Sequence, residues 1–87
     1  MAYEILLRQS AQKELDAFDR ADYTRIARVL SGLETNPRPP RARKLFDSSL
    51  WRVRNGSLRV IYAIDDDHKK VIIVRITRRA EDTYKGL

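Results

Sequence analysis

Apolar residues recur along this chain with two different periods. Tyr3, Ile5 and Leu7 alternate with polar neighbours over residues 3–8 and predict a short strand with one face on a core. From Ser10 the spacing lengthens: Ala11, Leu15 and Phe18 fall on one side of a helix, with Ser10 as its expected N-cap. Asp19 reads as the cap of a second helix, in which Tyr23, Ile26, Ala27, Leu30 and Leu33 form the apolar stripe. Pro37 disfavours a helical residue before it, so this helix is expected to end near Thr35 or Asn36. Two helices with almost no linker read as a hairpin packed on a sheet.

Residues 36–50 hold all three prolines and read as a long connection of the kind that often carries function. Beyond it the period returns to two. Residues 51–54, 58–64 and 71–76 are predicted strands, with Asn55-Gly56 marking the first hairpin turn and the polar run 65–70 the second. The tail from Thr77 to Leu87 has room for a helical turn or two. The order β-α-α-β-β-β predicts an α+β fold, a helical hairpin packed on a mainly antiparallel four-stranded sheet. A chain of 87 residues suits one domain, 1–87, and no second.

The first hairpin carries the chemistry. With Asn55-Gly56 as a two-residue turn, Arg52 falls opposite Arg59, Trp51 opposite Val60, and Arg54 lies diagonal to the pair. One face then holds Trp51, Val53, Leu58, Val60 and Tyr62, the core side; the other holds Arg52, Arg54 and Arg59. A four-residue turn keeps the same faces. Like charges placed opposite each other destabilise a sheet, and no acid on these strands relieves them. An anion site accounts for the triple better than a merely solvated face. Thr77, Arg78 and Arg79 return to the same end of the sheet, and Tyr84 follows closely enough to fold over it. Whether Arg75 joins depends on the length of the second turn. Guanidinium suits bidentate contact with phosphate. Residues 40–44 (PRARK) lead into this face, either as a solvated loop or as an extension of the phosphate track through Arg43 and Lys44.

Composition sharpens the choice of partner. Eighteen Lys and Arg against twelve Asp and Glu give a net charge of +6, which suits an anionic ligand. The absence of cysteine excludes a disulfide framework, a thiol nucleophile and every Cys-based zinc site, and fits a cytoplasmic protein. No run has the length of a membrane span, and the first residues lack the apolar region of a signal peptide. His68 and Asp65–Asp67 read as turn residues, not metal ligands; Ser48 and Ser49 have no identifiable base; Trp51 reads as a core anchor.

On its element order, on KLFDSSLWRVRNGSLRVIYAID (residues 44–65) and on ITRRAEDTY (76–84), the chain resembles the RelE/ParE superfamily of type II toxins. Within it, the resemblance is to the RelE-like ribosome-dependent mRNA endonucleases, and it covers essentially the whole chain. The pattern is more specific for the superfamily than for activity, because ParE-like inhibitors of DNA gyrase share the fold. The resemblance implies catalytic roles for Arg52, Arg54, Arg59, Arg78 and Tyr84, with Arg79 as the alternative to Arg78 or as an RNA-binding neighbour. It implies no metal or cofactor, mRNA and the ribosome as targets, and a cognate antitoxin in a hetero-oligomer. The best-known relatives carry lysines where this chain has Arg52 and Arg54. Arginine retains phosphate binding but not proton transfer. Tyr84, whose phenolate nearby cations favour, is then the expected stacking or proton-transfer group.

Overall fold

The computed structural model describes residues 2–78, so the expected tail helix, Arg79 and Tyr84 lie outside the described residues. The elements run β1 (Glu4–Leu7), α1 (Gln9–Asp16), α2 (Arg20–Thr35), β2 (Arg43–Lys44), β3 (Trp51–Asn55), β4 (Leu58–Asp65) and β5 (Lys70–Arg78). The strands form one sheet in the order β1-β5-β4-β3-β2, in which β1 pairs parallel with β5 and every other pair is antiparallel. The expected α+β class is observed. The sheet has a fifth strand because Arg43 and Lys44 pair with Arg52 and Trp51 inside the proline-rich connection. Two residues are too few for alternation to reveal.

Both helices lie on one face. Ala11 and Leu15 of α1 and Ile26, Leu30 and Leu33 of α2 pack on Val53, Leu58, Val60, Tyr62, Val71, Ile73 and Ile76 of the sheet. The cap of α1 is Arg8 and not Ser10: the chain turns directly out of β1, with the Arg8 amide donating to the Ile73 carbonyl at 3.0 Å. Asp19 caps α2 as expected, its Oδ1 accepting from the Asp22 amide at 2.9 Å. The stripe of α2 is rotated from the expected one. Asp22 is buried at its head, while Tyr23 and Ala27 are exposed. Trp51 is half-buried against the core, with the Arg38 guanidinium 5.4 Å from its ring centroid, so it contributes less burial than expected.

A one-residue bulge shapes β5. Ile61 pairs with Arg75 and Tyr62 with Ile73, which leaves Val74 unmatched. The buried positions of β5 accordingly change parity, from Val71 and Ile73 to Ile76. Beyond the stretch paired with β1, Glu14 of α1 takes over the strand edge. It accepts the Ile76 amide at 2.8 Å and the Arg75 Nε at 2.9 Å.

The connection 36–50 is anchored at two points. Tyr62, fully buried, donates its hydroxyl to the Pro37 carbonyl at 2.7 Å, and burial pushes its pKa up to about 12. Arg38 clasps Asp66 in the β4–β5 turn at 2.8 and 3.3 Å, and the Tyr3 hydroxyl donates to the same carboxylate at 2.6 Å. Hydrogen bonds from Arg38 and then Tyr3 hold Asp66 at about 2, below the ordinary carboxylate value. A depressed folded value means that this stabilisation is complete above about pH 4 and is lost as the pH falls towards 2. Asp66→Asn is therefore expected to melt below the parent at neutral pH, with the difference shrinking through that acid window. Calorimetry across the window checks this; a constant difference down to pH 2 would deny the charge any part.

Candidate nucleic-acid interface

The face of the sheet away from the helices is where the arginines converge. The β3–β4 loop is Gly56-Ser57, with Gly56 at φ 62° and Asn55 still paired with Leu58. Positive φ at the first loop position is what a two-residue hairpin turn demands. The register therefore differs from the expected one by two residues. Arg54, not Arg52, lies directly opposite Arg59, and Arg52 sits opposite Ile61. A shift by an even number keeps every side chain on its face, so Arg52, Arg54 and Arg59 still share the open side. Arg43 pairs with Arg52 and extends the cluster across β2, while Thr77 lies beside Arg59 on β5.

The local electrostatics are unbalanced. Arg54 and Arg59 are partly buried, and their Nε atoms are shielded from water with no hydrogen-bond partner among the described residues. Neither takes part in an ion pair among those residues. Two guanidinium groups facing each other across neighbouring strands repel, and each sequestered donor without an acceptor costs about 1–3 kcal/mol. An oxyanion with several acceptor oxygens would relieve both terms at once. Arg43 adds charge at the flank: its Nη1 is pinned by the Pro40 and Ala42 carbonyls at 2.9 and 3.0 Å, and neither contact neutralises it.

The remaining expected site residues are placed differently. Arg78 does not face away from the core. If the pairing of Asp65 with Lys70 ran on unbroken, Arg78 would fall opposite Ser57 on the open face; the bulge at Val74 sets it opposite Leu58, on the helix side. There it bonds the Asp22 carboxylate, donates to Ser57 Oγ at 3.2 Å and lies 5.9 Å from the Phe18 ring centroid. Lys44, opposite Trp51, is exposed on the helix side as well. Arg75 is neutralised by Glu14 at 2.8 Å, and the hydrogen bond it donates to that carboxylate raises its pKa. His68 stays in the turn, its Nδ1 2.9 Å from Asp65. Reasoning from sequence missed Asp22 and Glu14, the acids that decide which arginines are committed elsewhere. The signal for Asp22 was its position four residues before Ile26, at the head of the α2 stripe.

This placement makes a prediction. Arg78→Ala strands the Asp22 carboxylate, whose residue is only 8% exposed, and is expected to cost about 1–3 kcal/mol of stability. Asp22→Ala combined with Arg78→Ala should recover part of that loss. A double-mutant cycle by denaturant melts reads the coupling, and strictly additive effects would refute the pair.

A helical hairpin on one face of a mixed sheet, with an arginine cluster on the other, defines a small α+β domain with one cationic face. Residues 5–83 match the family described as the ParE toxin of type II toxin-antitoxin systems, parDE, and the chain belongs to that family, within the RelE/ParE superfamily. Among curated proteins, none matches the sequence. The fold is similar to that in the toxin-antitoxin complex RelBE2 from Mycobacterium tuberculosis (TM-score 0.82, 22% identity, 91% of this chain and 100% of that chain covered). It is also similar to that in the archaeal RelE-RelB complex from Pyrococcus horikoshii OT3 (0.81, 28%, 93% and 99%). A third similar structure is the YoeB/ParE toxin from Agrobacterium tumefaciens (0.76, 12%, 88% and 99%).

Proposed function

We propose that this chain is an mRNA endonuclease that acts at the ribosome, and that the open arginine face holds the scissile phosphate. The observation that carries this reading is the opposed Arg54–Arg59 pair, sequestered and without an acid partner among the described residues. In the proposed reaction the RNA 2′-hydroxyl attacks the adjacent phosphorus, the bond to the 5′-oxygen of the next nucleotide breaks, and a 2′,3′-cyclic phosphate remains. Negative charge accumulates on the phosphoryl oxygens in the transition state. Fixed guanidinium groups stabilise it there without reorganising, and no metal is required. Arg52, Arg54 and Arg59 take this role. Arg78 can join from the rim only by exchanging Asp22 for phosphate. Tyr84, or a group of the ribosomal RNA, is the proposed proton carrier, and Arg79 a further phosphate contact.

A second reading has its own support: the family match is to ParE, so a gyrase inhibitor without nuclease activity fits the same fold. The two part in one experiment. Purified protein added to a translating extract should yield mRNA cuts that require ribosomes. Gyrase-linked DNA breaks in a supercoiling reaction, with mRNA intact, would replace the nuclease by the poison.

The similar M. tuberculosis structure is a toxin-antitoxin complex, and that from P. horikoshii is a RelE-RelB complex. A +6 chain whose Arg54 and Arg59 have no acid partner among the described residues is suited to an acidic, amphipathic helical partner of the same kind. Such a partner, encoded beside this chain, is expected to raise its melting temperature and silence it. Their association should slow markedly as the Debye length falls from about 10 Å at 0.1 M salt to about 3 Å at 1 M. An association rate indifferent to salt would exclude electrostatic steering.

A further inference from the structure

One large apolar side chain in this protein covers nothing. Phe46 is 98% exposed, whereas Tyr23, the other exposed large apolar residue among those described, is 45% exposed. Phe46 sits at the tip of the β2–β3 hairpin, and that tip is a built loop. The Leu45 amide donates to the Leu50 carbonyl at 2.9 Å and closes it; the Leu50 amide donates to Ser48 Oγ at 2.8 Å inside it. Asp47 turns the chain at φ 57°, a left-handed conformation that Asp tolerates in tight turns. The aromatic ring is thus presented on a fixed support.

Its surroundings state what could cover it. Between Arg38, which Asp66 neutralises, and Phe46 the chain carries Arg41, Arg43 and Lys44 and no acid, and Asp47 follows the ring. Arg41, Arg43 and Lys44 are all exposed. Arg43 lies opposite Arg52, so the hairpin is continuous with the open arginine face. An aromatic ring at the end of a track of cations, here Arg43 and the open arginine face, is an arrangement by which proteins hold unpaired nucleotides, the cations following the backbone and the ring stacking on a base. A strand rises about 3.3 Å per residue, which puts the hairpin tip about 13 Å from Arg54 along β3. That distance places the ring on a nucleotide flanking the phosphate at the Arg54–Arg59 pair and not on the reacting one.

We propose that Phe46, on the β2–β3 hairpin beside Arg43 and Lys44, is a base-stacking residue that grips an unpaired RNA nucleotide next to the phosphate held by the arginine face. The inference rests on the RNA reading above and deepens it: the substrate is single-stranded where it crosses this hairpin. Stacking tolerates any base, so Phe46 fixes the position of the strand more than its sequence.

The test uses the whole chain and a short single-stranded 2′-O-methyl RNA, which lacks the attacking hydroxyl and cannot be cut, with 2-aminopurine at successive positions. Binding by the parent should quench the fluorophore at one position. Phe46→Ala should weaken binding at least about 5-fold, the lower end of one base stack, and abolish that quenching, with no change in melting temperature. Phe46→Trp should restore both, and Phe46→Leu, apolar but not aromatic, should restore neither. Arg43→Gln should lower the slope of log affinity against log salt by about 0.7, while Phe46→Ala leaves it unchanged. If the parent binds and Phe46→Ala or Phe46→Leu binds equally well, the stacking role is wrong and the RNA reading stands. If Phe46→Ala weakens only the antitoxin complex, the ring serves a protein partner instead. If the parent binds this RNA neither free nor on programmed ribosomes, the RNA reading falls, and this inference with it.

Discussion

Arg59→Ala is expected to cut RNA at least about 100-fold more slowly than the parent while melting at close to the same temperature. The size follows from what one fixed donor contributes at a charge-developing transition state, about 10²–10³ in rate. Retention of the fold follows from position: Arg59 faces away from the helices, its Nε has no partner among the described residues to strand, and its removal ends the repulsion with Arg54. Arg54→Ala should behave in the same way. Because both groups would hold one phosphate, the double variant should lose less than the product of the two single losses. Arg59→Lys keeps the charge but not the planar fork, and an intermediate rate is expected. Single-turnover cleavage on programmed ribosomes measures all four variants. A full rate for Arg59→Ala would remove this face from the chemistry.

Tyr62→Ala is expected to be the most damaging substitution for stability, at about 3–5 kcal/mol. Tyr62 is fully buried in the middle of β4, and its hydroxyl holds the Pro37 carbonyl. Truncation empties the centre of the core and releases the start of the connection that leads to β2. A domain this small has little more than about 5 kcal/mol in total, and a loss of 1 kcal/mol lowers its melting temperature by about 4–8 °C. The variant should therefore melt at least about 12 °C lower, or fail to fold without a partner. Tyr62→Phe keeps the ring and loses only the hydroxyl, for about 1 kcal/mol. Thermal melts of the two variants separate packing from the hydrogen bond. A near-parental Tyr62→Ala would mean that the core sits elsewhere.

Burial periodicity made the helices, the long strands and the arginine face readable, because those features repeat over enough residues to exclude the other faces. What escaped it depends on single residues. The hairpin register turned on which two residues form the loop; Asn55-Gly56 and Gly56-Ser57 both keep the arginines outward, so no hydrophobic pattern could separate them. Arg78 was misplaced because one unmatched residue, Val74, reverses the parity of everything after it, and VIIV offers no contrast between faces at that point. Asp22 looked like a polar residue at a helix start, yet its burial depends on an arginine fifty-six positions later. The two-residue β2 carries no alternation at all. The fold was legible to the level of its layers, and the site to the level of its face; the division of arginines between open and committed required the tertiary acids.

The parallel pairing of β1 with β5 also sets an order of events. Glu4–Leu7 is the first described strand, but its one strand partner among the described residues is Lys70–Ile73, and β5 lies between β1 and β4 in the sheet. A nascent chain leaves its ribosome from the N-terminus, so β1 must wait through both helices and three strands before its hydrogen-bonding edge has a match. The β3–β4 hairpin can close early, because its contacts are local; the sheet as a whole cannot. Hydrophobic residues of β1 and α1 are meanwhile without the strand that covers them. The consequence is an arginine hairpin that can close early but gains its full backing from the core only once β5 has emerged and taken up β1.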